Sequence, residues 1–332
     1  MQTSYHHVIN SIIFGMLQFA RHLIGNLPSL PRHFFFYLTL ILFSSPAWAG
    51  ENISILYPEV SAPYNTIFEK IIAGIASEEK LNIHPMPIKN GEAQSQLKKQ
   101  LLKTNCNAII ALGKRASITA EKLQSGLPTV FGALPYIPDG RAGISLSADP
   151  QQQFKTLKSI APKITTLSVV FSPKTNSWMI PLAEAAAKQQ GLKLMTFPAK
   201  NLREAMLHYR KILRTANSNT DAIWLPLDSI SADDKVVLPM LLREAWDKDL
   251  VILSSKPTDV QRGVLFSMYP DNYGMGQELA NLLLLHLEGK ADPLISPVKK
   301  LLLAVNLRTA AHLGLNFTPQ QQRNFDLTFP SR

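Results

Sequence analysis

The chain has 332 residues, of which 46% are hydrophobic and 17% charged, so it can fill one large or two ordinary domains and is not largely disordered. Its formal net charge is +10, but no run of Lys and Arg exceeds two residues, which argues against a nucleic-acid-binding protein. The single cysteine, Cys106, excludes an intrachain disulfide and a zinc site built on several cysteines. No two histidines after residue 49 stand at ligand spacing, so we expect no metal site.

The first 49 residues have the pattern of a secretory signal peptide. An apolar stretch over 34–43 follows Arg32, and small residues ending in Ala49 provide a cleavage site. The stretch is shorter than the roughly 20 apolar residues that a membrane-spanning helix needs. We therefore expect cleavage after Ala49 and a mature chain in the periplasm. An uncleaved signal anchor is the alternative, and the translation start is open between Met1 and Met16.

From residue 50 onward, short apolar strands alternate with amphipathic helices. The strands predicted in the first half cover 53–57, 83–88, 108–112, 129–133 and 143–146. The helices between them are predicted over 66–80, 92–103 and 115–124. Continuous apolar strands joined by helical crossovers are typical of a parallel sheet that is buried on both faces.

The second half repeats this alternation. Its predicted strands cover 167–171, 192–197, 222–227 and 250–254, and its helices 150–160, 177–190, 202–215 and 232–248. A strand over 263–268, a Leu-rich helix over 273–288 and a strand over 301–307 follow. Two successive sets of strands predict an α/β fold of two Rossmann-like lobes.

The loops after these strands carry the candidate ligand-binding residues. Ligands of open parallel sheets bind outside the carboxyl ends of the strands. Hydroxyl groups, aromatic rings, helix N-terminal amides and a few charges in these loops suit a small polar or zwitterionic molecule. The candidate residues are Tyr57, Ser61, Tyr64, Gly113, Lys114, Arg115, Ser117, Ser172, Asn176, Ser177, Asp228, Tyr269 and Asp271.

Each candidate also has a structural interpretation. Asp228 could bind a ligand amine or simply cap a helix, and capping is an equal alternative for Ser177. Asp271 could hold the cleft or the hinge, or cap the helix that follows. Lys114 and Arg115 could attract a carboxylate or phosphate, or face solvent. The tyrosines could stack on a ligand or pack in the core or hinge.

The sequence contains no recognisable catalytic motif. No Gly-x-Ser-x-Gly supplies a hydrolase nucleophile, and no Gly-x-Gly-x-x-Gly follows the first strand to bind a dinucleotide. We therefore expect a protein that is not an enzyme and needs no cofactor.

The late part of the chain carries the clearest family resemblance. The segment 263–271, the glycines Gly274 and Gly276, the Leu-rich helix ending in Leu-Glu-Gly-Lys, and the segment 305–310 resemble ABC-transporter substrate-binding proteins of the tryptophan/tyrosine-binding type. The resemblance continues upstream through 108–113, 168–173 and 221–228 and covers essentially the whole mature chain.

The resemblance implies a type I periplasmic-binding-protein fold, in which three chain crossings join the lobes. Lobe one would comprise 50–148 and 262–289, and lobe two 149–261 and 290–332, with crossings near 147–149, 256–262 and 289–294. The implied function is capture of a small organic ligand, such as an amino acid or another carboxylate, in the interlobe cleft. The implied partner is an inner-membrane ABC permease, and we expect a monomer.

Two departures from the family pattern bear on the ligand. The loop over 133–140 is shortened, so specificity for aromatic amino acids does not carry over, and the pair Lys114-Arg115 favours a more anionic ligand. A different function for the same fold is the alternative: a ligand-sensing or partner-binding module of an envelope signalling or receptor protein, without transport.

Overall fold

Thirteen strands and twelve α-helices form the part of the chain that the computed structural model describes, which is residues 50–91, 94–135, 141–290 and 295–330. The predicted signal peptide over 1–49 lies outside the described residues. The strands are β1 (Glu51–Pro58), β2 (Leu81–Ile88), β3 (Ala108–Leu112), β4 (Thr129–Leu134), β5 (Gly143–Ala148), β6 (Thr166–Phe171), β7 (Lys193–Pro198), β8 (Asp221–Leu225), β9 (Val251–Ser254), β10 (Phe266–Pro270), β11 (Ile295–Val298), β12 (Leu301–Asn306) and β13 (Leu327–Phe329).

The helices follow most of the strands. They are α1 (Asn65–Ala76), α2 (Gln94–Lys103), α3 (Gly113–Leu123), α4 (Pro150–Ile160), α5 (Pro173–Asn176), α6 (Ile180–Gln189), α7 (Leu202–Thr215), α8 (Val237–Asp247), α9 (Pro257–Arg262), α10 (Asn272–Leu287), α11 (Leu307–His312) and α12 (Pro319–Gln322). A 3₁₀ turn, Ser177–Met179, joins α5 to α6, so the single helix predicted over 177–190 is divided.

Two separate sheets confirm the predicted α/β class. The first has six strands in the order β11-β5-β4-β3-β1-β2, and all neighbouring pairs are parallel. The second has seven strands in the order β13-β12-β10-β9-β8-β6-β7, and the β10–β12 pair is its antiparallel pair. Each sheet lies between helices.

Burial of both faces explains the continuous apolar strands. In β3, Ile109 and Ala111 pack in one apolar cluster, whereas Ile110 and Leu112 pack in another on the opposite face. All four side chains are fully buried. Successive side chains of a strand point to opposite faces, so only a sheet covered on both sides makes every position apolar.

The strand order corrects the expected lobe boundaries. We expected 262–289 in lobe one, but β10 pairs with β9 and β12 in the second sheet. The stretch 290–332 was expected in lobe two, but β11 pairs with β5 in the first sheet. The Pro-containing stretch 256–262 is helix α9 with its N-cap residue, and it connects β9 to β10 within the second sheet rather than crossing between the lobes. We therefore define lobe one as 50–148 and 271–298, and lobe two as 149–270 and 299–330.

The three crossings of these lobes lie side by side. The first follows β5, the second follows β10, and the third joins β11 to β12. The Asp149 amide donates to the Val298 carbonyl at 3.0 Å, and the Asp271 amide donates to the Lys300 carbonyl at 2.9 Å. These hydrogen bonds tie the first and second crossings to the third.

A carboxylate of α10 also contacts the third crossing. Glu278 accepts hydrogen bonds from the amides of Lys299 at 3.0 Å and Lys300 at 2.5 Å. Burial raises the pKa of the Glu278 carboxyl, and the two amides and the two lysine charges partly offset that rise. The Glu278 side chain thus attaches the third crossing to helix α10 of lobe one.

Two glycines allow α1 and α10 to pack with their backbones in contact. A Cβ on Gly74 would lie 2.0 Å from the Tyr273 carbonyl oxygen, and one on Gly276 would lie 2.1 Å from the Ile71 carbonyl oxygen. No side chain larger than hydrogen fits these positions without separating the helices. Gly276, which contributed to the family resemblance, therefore has a packing function.

The segment 305–310 of the resemblance is also structural. Asn306 caps α11 by accepting from the Thr309 amide at 2.9 Å, and its side-chain amide donates to the Val260 carbonyl at 2.8 Å. The Thr309 hydroxyl donates to the Gly263 carbonyl at 2.9 Å. These bonds attach the start of α11 to the end of α9.

Candidate functional site

The carboxyl ends of the two sheets border a cavity of about 560 Å³, which we call the cleft cavity. Lobe one contributes Pro135, at the end of β4. Lobe two contributes residues that follow β6, β8 and β9, namely Thr175, Leu227, Asp228, Ser229, Ala232, Asp233, Asp234, Lys235 and Lys256. Its volume falls within the range of cavities that hold small organic ligands.

Hydroxyl groups fix the position of Pro135. The Ser145 and Ser147 side chains of β5 donate to the Pro135 carbonyl at 2.8 and 3.3 Å. The adjacent Ala133 has φ of +55°, and the β4–β5 register shifts there. The end of β4 is therefore held by side-chain hydrogen bonds where the strand ladder is interrupted.

The lobe-two residues that line the cleft cavity form what we call the lobe-two wall. Asp228 belongs to this wall and is 7% exposed. Its Oδ1 accepts from the amides of Ile230 at 2.7 Å and Ser231 at 3.0 Å. Its Oδ2 accepts from the Ser172 amide at 2.6 Å and from the Asn176 side chain at 2.8 Å. Four protein donors occupy this carboxylate, two of them amides of the turn that follows and not of a helix, so Asp228 neither caps a helix nor keeps a free acceptor site for a ligand amine.

The same bonds limit what Ser172 and Asn176 can offer a ligand. Both residues are buried, and both donate to Asp228. The Ser177 side chain is exposed and donates to the Pro173 carbonyl at 2.7 Å, within its own helical turn. These three predicted site residues therefore shape the loop after β6.

The polar groups that line the cleft cavity in lobe two were largely missed from sequence. The Lys256 ammonium pairs with Asp234 at 2.5 Å and lies 3.7 Å from buried Asp259. Asp233 accepts from the amides of Lys235 at 3.0 Å and Val236 at 2.7 Å. These residues follow β8 and β9, so the rule that placed Asp228 in the site could also have selected Lys235 and Lys256.

Asp259, whose Oδ1 lies 3.7 Å from the Lys256 ammonium, is 1% exposed. Its Oδ2 accepts from the Ser254 hydroxyl at 2.6 Å, whereas its Oδ1 has no hydrogen-bond partner. Burial raises the pKa of this carboxyl, while the Ser254 hydrogen bond and the Lys256 charge act in the opposite direction. The Lys256 ammonium is thus held between one buried and one exposed carboxylate.

The lobe-one edge after β1 is open to solvent. Tyr64 is 66% exposed, and Ser61 is also exposed. Tyr57 is half-buried, and its ring centroid lies 6.2 Å from that of Phe68. Burial, with smaller contributions from Glu59 and Glu69, raises the pKa of the Tyr57 phenol.

The edge after β3 combines fixed and free groups. Gly113 has φ of +77°, which favours glycine at the first position of α3. Ser117 is buried and donates to the Gly113 carbonyl at 2.9 Å. The Arg115 guanidinium donates to the Ile88 carbonyl at 3.4 Å, whereas the Lys114 side chain is exposed. Lys114 is the member of the predicted pair that remains available to a ligand.

Tyr269 and Asp271 lie at the second crossing and not in the lining of the cleft cavity. Asp271 caps α10 by accepting from the Tyr273 amide at 3.1 Å, as its capping interpretation predicted. Tyr269 packs against the core of lobe two. Burial first, then the charges of Asp326 and Asp271, raise the pKa of its phenol to about 12.

Two further observations concern metals and membranes. Within the described ranges, no group of three or more His, Cys, Asp or Glu side chains is arranged to hold a metal ion. Among the helices of the same ranges, none combines the length and apolar character that a membrane span requires.

Comparisons with known proteins decide the family. The family model described as "ABC transporter substrate binding protein" matches residues 74–320. The chain belongs to this family. None of the curated proteins compared with this substrate-binding protein matches it significantly.

Solved structures support the same fold. A domain from Streptococcus pneumonia solved with L-Trp is 20% identical, with a TM-score of 0.51 over 85% of this chain and 100% of that one. A ligand-free, open substrate-binding protein with adhesive properties from Clostridium difficile is 14% identical, with a TM-score of 0.56 over 85% and 100%. A conserved domain protein from Vibrio cholerae is 18% identical, with a TM-score of 0.50 over 84% and 99%. The substrate-binding protein thus has the periplasmic-binding-protein-like fold that its sequence predicted.

Proposed function

We propose that this substrate-binding protein captures a small organic ligand in the cleft cavity and delivers it to an ABC importer. The observation that carries this proposal is the position of the cavity, at the carboxyl ends of the sheets, where loops of lobe two and Pro135 of lobe one border it. Open α/β sheets bind their ligands at this edge.

The charges near the cleft favour a ligand with an anionic group. Lys114 and Lys235 have exposed side chains, and Lys235 lines the cavity. The carboxylates of Asp228 and Asp233 are occupied by donors from the protein. The hydrogen-bonding groups that the protein leaves unpaired near the cavity are therefore lysine ammonium donors rather than carboxylate acceptors. An amino acid or another carboxylate meets this requirement, and the hydroxyls of Thr175 and Ser229 supply further hydrogen-bonding groups.

The three adjacent crossings provide the route for closure. Closure of two domains around a ligand needs only a few residues that change their backbone angles. In this chain they would lie at the ends of β5, β10 and β11. Closure would bring the exposed edge that carries Ser61, Tyr64 and Lys114 toward the lobe-two wall.

The N-terminal sequence and the family support a function outside the cytoplasmic membrane. We propose that residues 1–49 direct export to the periplasm and are removed after Ala49. An inner-membrane ABC permease would then be the partner, and the protein would act as a monomer without chemical catalysis. A sensing or partner-binding module on the same fold is the second candidate, because the cavity alone requires only ligand binding.

Ligand binding can be tested on the chain from residue 50 to residue 332. Mass spectrometry of small molecules retained through native purification would name candidates, and thermal unfolding with a metabolite panel would rank them. A ligand at 100 times its dissociation constant should stabilise the folded protein by about 2.7 kcal/mol.

Charge-matched variants locate the site. We expect the double variant Lys114→Gln/Lys235→Gln to lose about ten-fold or more in affinity for an anionic ligand. The control Lys155→Gln/Lys188→Gln changes two exposed lysines of α4 and α6 and should bind normally. The proposal fails if no ligand shifts unfolding, or if both double variants bind equally well. A stoichiometric complex with a detergent-solubilised ABC permease would favour import over sensing.

A further inference from the structure

A second cavity, of about 650 Å³, lies at the opposite end of lobe two from the cleft. We call it the distal pocket. It lies between the carboxyl ends of α8 and α9, the start of α11 and the end of β13. Helices that connect parallel strands run antiparallel to them, so α8 and α9 end at the amino edge of the sheet. Strand β12 is antiparallel to β10, so α11 begins at that same edge.

Three arginines line the distal pocket without carboxylate partners. Arg243, Arg262 and Arg308 all have exposed side chains. In the part of the chain that the structure describes, none of the three belongs to an ion pair. Asp247 is the acidic residue of the lining, so the pocket carries a net charge of about +2 from these groups.

Side-chain hydrogen bonds join the two helices that carry Arg262 and Arg308. The Asn306 and Thr309 side chains bond to carbonyls at the end of α9, which joins the helix that carries Arg308 to the one that carries Arg262. The Arg308 guanidinium lies 5.6 Å from the centroid of the Trp246 ring.

An aromatic stack supports Trp246, which also lines the distal pocket. The His312 ring stacks on Trp246 with centroids 3.7 Å apart and an interplanar angle of 4°. His312 also contacts Asp249 at 3.0 Å. Because the His312 ring already covers one face of the Trp246 ring, that face is not available for stacking with the ring of a ligand.

We propose that the distal pocket binds a phosphate group. A guanidinium presents planar, paired N–H donors that match phosphate oxygens, and three of them with one carboxylate suit an anion of about −2 better than a monovalent carboxylate. Phosphate carries about −1.5 to −2 charges near pH 7. The group can come from a soluble phosphate monoester or from a lipid whose headgroup is a phosphate monoester, such as phosphatidic acid, and both present the same chemistry. This site is separate from the cleft and does not depend on the proposed import function.

Binding of defined phosphate probes tests the proposal on the chain from residue 50 to residue 332. Inorganic phosphate and glycerol 3-phosphate would be titrated calorimetrically, and phosphatidylcholine vesicles with and without phosphatidic acid would be sedimented with the protein, all at about 0.15 M salt to screen weak surface attraction. Binding of the soluble probes identifies a soluble phosphate compound. Binding confined to vesicles with phosphatidic acid identifies a headgroup. Both results support the site.

Matched triple variants separate the pocket from general positive charge. We expect Arg243→Gln/Arg262→Gln/Arg308→Gln to weaken binding by at least ten-fold, since each charge-assisted contact contributes substantially. The control Arg203→Gln/Arg210→Gln/Arg214→Gln removes the same charge from exposed positions of α7 and should change binding less than two-fold. If the pocket triple does not fold, Arg262→Gln alone serves as the test. Absence of binding to every probe, or an equal loss in the pocket and control variants, overturns the proposal.

Discussion

The two walls of the cleft use their polar side chains differently. In lobe two, Asp228 accepts four hydrogen bonds and Lys256 is held between Asp234 and Asp259. In lobe one, the edge that follows β1 and β3, which we call the lobe-one wall, carries Lys114 and Tyr64; both extend into solvent and lie outside the lining of the cleft cavity. Apart from exposed Lys235, the charged groups of the lobe-two wall are thus fixed by the protein's own contacts before a ligand arrives, whereas the lobe-one wall keeps groups that a ligand can engage.

This difference suggests a division of functions in ligand capture. A wall whose donors and acceptors are already paired has little to reorganise on binding, which lowers the entropic cost of association. A wall with unpaired groups can gain new hydrogen bonds when the lobes close. We infer that lobe two provides the preformed surface and that lobe one contributes the contacts made on closure.

The largest expected effect concerns the close contact between helices α1 and α10 of lobe one. Gly276→Ala places a Cβ about 2 Å from the Ile71 carbonyl oxygen, so α1 and α10 must separate. We expect a loss of about 3 kcal/mol or more in the free energy of unfolding. Chemical denaturation would measure it. The control Asn281→Ala changes an exposed position of the same helix and should stay within about 0.5 kcal/mol. Equal stability of the two variants would contradict the close helix contact.

The next effect distinguishes a structural Asp228 from a ligand-binding one. Asp228→Ala leaves four donors without their acceptor, and we expect a loss of about 2–3 kcal/mol in the free energy of unfolding without ligand. Asp233→Ala removes an acceptor for two amides in the same loop and should cost about 1 kcal/mol. Thermal and chemical unfolding of the ligand-free variants would compare them. Normal stability of Asp228→Ala with loss of ligand binding would restore the amine-binding hypothesis.

Asp228 shows where sequence reasoning reached its limit. The order of strands and helices was readable because both faces of each sheet are apolar, and the position of Asp228 after a buried strand predicted that it lies at the carboxyl edge of the sheet, where it lines the cleft cavity. Whether its oxygens were free depended on Ser172 and Asn176, which follow another strand 52–56 residues earlier. That pairing follows from the sheet order and not from any local pattern.

The lobe boundaries failed for a related reason. Strand β10 and helix α10 are consecutive, yet they belong to different lobes, and only strand pairing reveals this. The Pro-containing sequence near Lys256 resembled a linker more than the true crossing at 270–272 did. The glycines of α10 indicated close packing only after α1 was seen beside them.

A pH dependence would test how lobe one holds the third crossing. Burial raises the pKa of the Glu278 carboxyl, so the folded chain binds this proton more tightly than the unfolded chain. Its contribution to stability is present below the unfolded pKa, about 4.3, and is lost as the pH rises through the raised folded pKa. Glu278→Gln keeps an acceptor oxygen but does not titrate. Thermal unfolding should therefore show wild type losing stability relative to this variant as the pH rises from about 4.

The control for that experiment is Glu184→Gln, an exposed position of α6. Its unfolding profile should follow wild type at every pH. A constant difference between wild type and Glu278→Gln would mean that the proton affinity of Glu278 is the same in the folded and unfolded chains.

The smallest expected effect separates the two basic residues that begin α3. Arg115→Gln removes a long hydrogen bond to the Ile88 carbonyl, and we expect a loss of about 0.5 kcal/mol in the free energy of unfolding. Lys114→Gln should leave stability unchanged, because that side chain is exposed, while lowering affinity for an anionic ligand. Paired unfolding and ligand titration of the two variants would assign each residue. If Lys114→Gln were the less stable variant and bound ligand normally, the unpaired group on the lobe-one wall would have to be sought after β1, where Ser61 and Tyr64 are exposed.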